Sequence, residues 1–182
     1  MSDKDIVIIV RYCEIHLKGK NRGYFEKIFV NNLEKALSGI PHEIHSPGGR
    51  YVVENFSVSD AEEIVERLKK VFGTHSLSIA HKVQADKEAI YQTVRSIAPA
   101  GGSFKIQTNR ADKHFPLNSM QMNAEIGGRL LSENPSLFVD VHSPQSTIYI
   151  DIRENGTALV FSESVKGVGG MPVGTSGKGL LL

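Results

Sequence analysis

Between Ile6 and Val83 the apolar residues change period again and again, and few folds accommodate the resulting order. Ile6 to Val10 is β-branched at every position, which suits a strand covered on both faces. Phe25, Phe29, Leu33 and Leu37 then recur every fourth residue, as on one helix face, with Asn21 placed to cap the helix and Gly39-Ile40-Pro41 to end it. Two short extended runs in "HEIHSPGGRYVVENF" flank Pro47-Gly48-Gly49, which has the turn chemistry of a hairpin. Ser59 and Glu62 have the spacing of a capping box for a second helix, with Ala61, Ile64, Val65, Leu68 and Val71 inward and Gly73 at its end. A strand over about Ser76 to Val83 completes β-α-β-β-α-β, the ferredoxin-like pattern.

From Asp86 a second α/β unit begins. Asp86 caps a helix with Ile90, Val94 and Ile97 inward, Pro99 to Gly102 break it, and "SFKIQT" reads as a strand. The loop "NRADKHFPLNS" leads into a helix from about Asn118 with Met122, Ile126 and Leu130 as its stripe. "LFVDV", "STIYIDIRENG" and "TALVFSESV" read as three strands, the last two joined at Asn155-Gly156, a two-residue hairpin signal. From Lys166 onward glycine dominates, and so glycine-rich a stretch reads as a linker or an adaptable binding loop.

Charge excludes a global attraction to polyanions: 21 basic and 20 acidic side chains leave a formal charge of +1, so nucleic-acid affinity has to come from local patches. The single cysteine, Cys13, allows no internal disulfide. No apolar run approaches the roughly 20 residues of a membrane span, and the N-terminus lacks the pattern of a secretory signal. A cytoplasmic setting without membrane contact is the expectation.

Catalytic readings fail on spacing. "GTSGKG" resembles a phosphate-binding loop, but that pattern needs glycine where Pro172 stands and Ser or Thr where Gly179 stands. His42 and His45 are three apart in an expected strand, which turns them to opposite faces rather than to one ion. Cys13 has His16 nearby but no orienting acid or oxyanion donors.

Basic residues gather instead at the ends of elements. Arg11, Lys18, Lys20 and Arg22 surround a loop that runs into a helix N-terminus, where exposed N–H groups favour phosphate; a solvated charged loop is the plainer reading. In "FKIQTNRADKHFP" period-2 alternation puts Lys105, Gln107 and Asn109 on one face, leading into Arg110, Lys113 and His114, with Phe115 as either a stacking platform or, preferentially, a core residue. That mixture suits single-stranded RNA, whose phosphates are neutralised by Lys and Arg while its bases stack and accept amide hydrogen bonds. Arg129 on the following helix and Lys166 beside the glycines extend the same set.

Four stretches together, "RYCEIHLKGKNRGYFE", "FKIQTNRADKHFPLNSMQM", "VDVHSPQSTIYIDIRENG" and "KGVGGMPVGTSGKGLLL", resemble the N-terminal half of the tRNA 4-thiouridine synthetase (ThiI) family, in family order across nearly the whole chain. The resemblance implies an α+β chain: an N-terminal ferredoxin-like βαββαβ domain over residues 1–77, an α/β THUMP RNA-binding domain over 78–166, and over 167–182 a glycine-rich linker with Leu180 to Leu182 opening a PP-loop catalytic domain. Gly179 departs from the apolar strand residue expected there.

On that resemblance ATP and Mg²⁺ belong to the PP-loop domain and no cofactor to these residues, and none of the catalytic cysteines has a counterpart in Cys13. The implied partners are tRNA, held at the 3′ CCA of its acceptor end, a cysteine desulfurase acting on the full-length protein, and a second copy in a homodimer. Thiazole synthesis for thiamine is a further expectation. Lys105, Arg110, Lys113 and Arg129 are the foremost candidates for RNA contact, followed by Lys18, Lys20 and Arg22, with Lys166 beside the glycines. Two rivals of other classes stay open on the residues: a small nucleotide-binding enzyme domain, and a dimerisation module without specific RNA binding.

Overall fold

The computed structural model describes residues 5–12, 21–46 and 49–175. Contacts divide the chain into two units, Met1–Ile79 with Ser164–Leu182, and Ala80–Glu163. The first unit carries β1 (Ile6–Tyr12), α1 (Arg22–Ala36), β2 (Glu43–His45), β3 (Tyr51–Glu54), α2 (Ala61–Leu68) and the first half of β4 (Thr74–Gln84), with strand order β2-β3-β1-β4. β3 is antiparallel to both β1 and β2, with Ile9 opposite Val52 and Ile44 opposite Val53. This is the ferredoxin-like arrangement expected from the order of periods.

Side-chain burial explains why these stretches adopt these forms. The four-residue repeat of α1 buries Phe29, Leu33 and Leu37 completely against Ile8, Val10 and Val53 of the sheet and Ile64 and Leu68 of α2. Burial of each such side chain is worth about 1.5–3 kcal/mol relative to exposure, enough to override weak local caps. The caps here are weak: Asn21 stands at the N-cap of α1 without a side-chain cap bond. The capping box expected at Ser59 and Glu62 does not form either. A 3₁₀ turn over Val58–Asp60 takes the first turn, Ser59 Oγ bonds to Ser57 and Asp60 side chains, and α2 begins only at Ala61. Of the expected hairpin turn, Pro47 and Gly48 lie outside the described residues.

Residues 164–175 are a strap on the first unit. β9 (Val165–Lys166) adds to β4, with Ser76 opposite Lys166. Beyond it the N–H groups of Gly167, Val168 and Gly169 donate to the carbonyls of His75, Lys69 and Thr74, and Gly73 N–H donates to Gly169 O at 2.8 Å. Asn32 Nδ2 donates to Val173 O at 3.0 Å, which pins the strap to α1. Glycine is required at two positions: Gly73 has φ of +103° and a Cβ there would sit 2.9 Å from the Phe29 ring, while a Cβ at Gly167 would run into the Thr74 carbonyl.

The second unit carries the rest of β4, α3 (Lys87–Ile97), β5 (Gly102–Arg110), α4 (Ser119–Glu133), β6 (Leu137–Val139), β7 (Ser146–Ile152) and β8 (Thr157–Phe161), with strand order β4-β8-β7-β5-β6. β5 is parallel to β6 and β7, and β8 is antiparallel to β7 and β4. Asp86 caps α3 as expected, accepting from Glu88 N and Ala89 N, and Asn118 with Gln121 forms a reciprocal capping box on α4. Both helices cover one sheet face, where Phe104, Ile106, Ile148, Ile150, Ala158 and Val160 meet Ile90, Val94, Met122 and Ile126.

Between those helices lies a charged seam. The Arg129 guanidinium lies 3.5 Å from the Tyr91 ring centroid and grips Glu88 with both terminal nitrogens, at 2.8 and 3.3 Å. Hydrogen bonds from Arg129 and then Gln92 push the Glu88 carboxyl down to about 2. Lys87 with Glu125 and Arg95 with Glu133 tie the same two helices.

Two expectations follow from this packing. A Gly167→Ala variant should speed amide hydrogen exchange at Gly73, Val168 and Gly169 about tenfold or more, roughly 1.4 kcal/mol of local stability, while amides of the second unit stay unchanged. For Glu88 the folded pKa lies below the ordinary 4.5, so the stabilisation is present above that pH and fades as pH falls through about 2. An Arg129→Leu variant should therefore melt below the wild type at neutral pH, and the gap should narrow in thermal melts taken between those two pH values.

Candidate nucleic-acid interface

The helices α3 and α4 take one face of the second unit's sheet, and strand alternation decides what the other face presents. In β5 Phe104, Ile106 and Thr108 are buried against the helices, so Lys105, Gln107 and Asn109 point the opposite way, as does Ser103, which is also buried. Register with β7 places Thr147 beside Lys105, Tyr149 beside Gln107 and Asp151 beside Asn109. Tyr149 in turn stacks on Phe161 of β8, with centroids 5.0 Å apart and planes 13° from parallel.

One end of this open face is closed and the other is not. Asp151 is 2 % exposed, accepts from Asn109 Nδ2 at 3.1 Å and forms an ion pair with Arg153 Nη2 at 3.0 Å, so its charge is spent internally. Toward the start of β5, Lys105 has no ion pair among the described residues, and Gln107 is exposed. A cation, an amide and the half-buried Tyr149 ring thus share a surface with little competing negative charge.

The remaining basic residues nominated by the sequence disperse. Arg110 follows the parity of Thr108 rather than of Lys105, and its Nη1 donates to the carbonyls of Lys113 and Phe115, both at 3.1 Å. It organises the loop after β5 instead of extending the open face. Phe115 is 9 % exposed and joins the core, in keeping with the preferred reading of it. Lys113 and His114 are held out at the surface by Asp112, whose carboxylate accepts from His114 N at 2.8 Å. Five residue steps along the strand, about 17 Å, separate Lys105 from Arg110.

Arg129 lies in the helix layer, across the sheet from Lys105, engaged with Glu88 and Tyr91. In the first unit Arg22 is exposed but bonds Glu26 at 2.7 Å and the Tyr12 hydroxyl at 3.1 Å. Burial, above all, raises the Tyr12 pKa, so the phenol stays a neutral partner. Arg11 donates to Ser78 Oγ at 3.0 Å. Lys166 is exposed on β9. Lys18 and Lys20 lie outside the described residues, as does Cys13.

Sequence reasoning missed the aromatic part of this surface. Tyr149 could have been found from the alternation of "STIYIDI", which sets it opposite the core positions, where it stacks on the buried Phe161. Phe138, 59 % exposed on β6, carries no such signal, because three apolar residues in a row do not say which one faces out. Among the described residues no His, Cys, Asp and Glu group is arranged to hold a metal ion, and no helix is long and apolar enough to cross a membrane.

Comparison with known proteins places this geometry. The family model of the ThiI ferredoxin-like domain matches residues 7–78, and that of the THUMP domain matches residues 58–161. The two matches share α2 and the start of β4, the elements through which the chain passes from one unit to the next. A probable tRNA sulfurtransferase of Natranaerobius thermophilus is 42% identical over 96% of this chain and 45% of its own length. The chain thus spans about half the length of the curated relatives it matches.

Two solved structures share the fold at comparable identity. PH1313 from Pyrococcus horikoshii aligns with a TM-score of 0.79 and 35% identity, covering 93% of this chain and 58% of that one. A 4-thiouridine synthetase solved as an RNA complex with bound ATP aligns with a TM-score of 0.77 and 31% identity, covering 94% of this chain and 44% of that one. With one model covering more than half of the residues and the other the strands and helices before it, the chain belongs to the THUMP-domain family, in the ThiI arrangement of a ferredoxin-like domain followed by a THUMP domain.

Proposed function

We propose that this chain is the tRNA-holding portion of a uracil 4-sulfurtransferase and that it grips the acceptor end of tRNA at its unpaired 3′ CCA. The observation that carries the reading is the open face of the THUMP sheet, where Lys105 stands without an ion pair among the described residues beside Gln107 and Tyr149. Phosphate contacts from lysine supply affinity and position, while amides and rings act on unpaired bases. That a relative of this fold was solved with RNA supports the choice of ligand.

Sulfur transfer itself, with ATP and Mg²⁺, belongs on this reading to a PP-loop domain of the longer protein. A cysteine desulfurase as sulfur donor, a homodimer and a contribution to thiazole synthesis are proposals of the same standing. Nothing among the described residues favours the rival nucleotide-binding enzyme, which predicts ATP binding by this chain alone.

The test is fluorescence anisotropy of the protein with a labelled acceptor-stem RNA, with and without the CCA overhang, at two salt concentrations. Tighter binding of the overhang form is expected, and equal, weak binding to both forms would overturn acceptor-end recognition. Lys105→Gln and Lys113→Gln should each weaken binding by a similar factor for all RNAs and lower the salt slope by about one. Arg129→Gln should instead lower the melting temperature and leave the affinity of the folded protein unchanged, because its guanidinium is committed to Glu88 and Tyr91.

A further inference from the structure

Phe138 is the residue whose exposure the fold does not explain. It lies on β6, the edge strand of the second unit, and is 59 % exposed between Leu137, which is in the core, and Val139. An apolar ring left open on a sheet edge invites misassociation, and sheets usually blunt such positions with charge. Its register partner is Ser103 on β5. Because Phe104 faces the helices, Ser103 and Phe138 face the other way, onto the side that carries Lys105.

The chain that follows Phe138 is tied to β5. The connection from Asp140 to Gln145 has to cross β5, since β6 and β7 flank it. It does so tied down at both ends: Asp140 N donates to Phe104 O at 3.1 Å, Gln145 N donates to Ser103 Oγ at 3.0 Å, and Ser103 N donates to Gln145 Oε1 at 3.1 Å. The one acid in this connection, Asp140, accepts from His142 N and Ser143 N at 2.9 and 3.0 Å, and those bonds hold its carboxyl below the usual range. Its charge is therefore partly compensated. From Phe138 to Lys105 is one strand across and two residues along, about 8 Å between Cα atoms, within reach of a lysine stem.

We propose that Phe138 is a base-stacking residue of the RNA site, its ring face taking an unpaired nucleobase while the Lys105 ammonium takes a phosphate of the same strand. An exposed ring next to an unpaired cation fits single-stranded RNA, which offers flat apolar faces and phosphates at short, regular spacing. The match of charge decides against a second copy of this chain as the occupant, for an apolar edge seeking its own twin would bring two Lys105 side chains together. The proposal rests on the RNA-binding reading above and adds the residue that reads the unpaired end.

The chain has no tryptophan, so a Phe138→Trp variant carries a single, unambiguous reporter. Titrated with acceptor-stem RNA, its fluorescence should be quenched by the form with an unpaired 3′ end and much less by the blunt form. In anisotropy, Phe138→Ala should lose about tenfold in affinity for the overhang RNA and little for the blunt one, whereas Phe138→Trp should retain binding. Thermal melts check that the variants fold. Wild-type preference for the overhang combined with unchanged affinity in Phe138→Ala would overturn the stacking assignment while leaving acceptor-end recognition intact. Absence of that preference in the wild type would remove the recognition reading itself, and this inference with it. A dimer seen by sedimentation in the wild type and lost in Phe138→Ala, with RNA affinity unmoved, would reassign the ring to an interface between copies.

Discussion

The strict alternation of β5 is the constraint on which the second unit depends. Phe104, Ile106 and Thr108 are drawn under α3 and α4, and successive residues of a strand point to opposite faces. Burial thereby fixes Lys105, Gln107 and Asn109 on the opposite face, at spacings set by the backbone alone. The parallel pairing with β7, from Phe104 opposite Ser146 to Arg110 opposite Ile152, then adds Thr147 and Tyr149 to the same surface. The candidate interface is in this sense a by-product of the core, and rigid for that reason.

Charge has two uses in this molecule: some cations are bonded within the fold, the arginines and also Lys87, and others are not. The arginines Arg11, Arg22, Arg67, Arg110 and Arg129 all hold the fold together, bridging carboxylates, hydroxyls and carbonyls with their planar forks. Lys105, Lys113 and Lys166 have no ion pair among the described residues and remain open to solvent to differing degrees. A fork donor satisfies several fixed acceptors at once, whereas a mobile ammonium adapts to phosphates that arrive with a ligand. Net charge near zero conceals this division, because paired arginines and acids cancel while the unpaired lysines keep a local field.

Much of the fold could be read in the chain. The order of periods fixed the ferredoxin-like pattern, Asp86 and Asn155-Gly156 marked a helix start and a hairpin, and "FKIQT" announced a strand with one polar face. What failed were inferences from local grammar with weak energies. Ser59 and Glu62 satisfy the capping-box pattern, yet the burial of Ala61, Ile64, Val65 and Leu68 sets where α2 starts and leaves a 3₁₀ turn ahead of it. Glycine content marked residues after Lys166 as a linker or an adaptable binding loop, and in the folded chain Gly167 to Gly169 are bonded through their backbone to the first unit, with glycine required at 167 by the approach of the Thr74 carbonyl.

The sequence by itself determined the two-unit α/β plan and which parity of β5 is polar, because those follow from periodicities that any burial must respect. Only the tertiary structure decided which cations are spent and which aromatics are offered. Arg110 and Arg129 are consumed by carbonyls and a carboxylate that lie nearby only in the folded chain, and Phe115 is buried while Phe138 is left out. Neighbours across strands, between helices and around the loop after β5 set those outcomes.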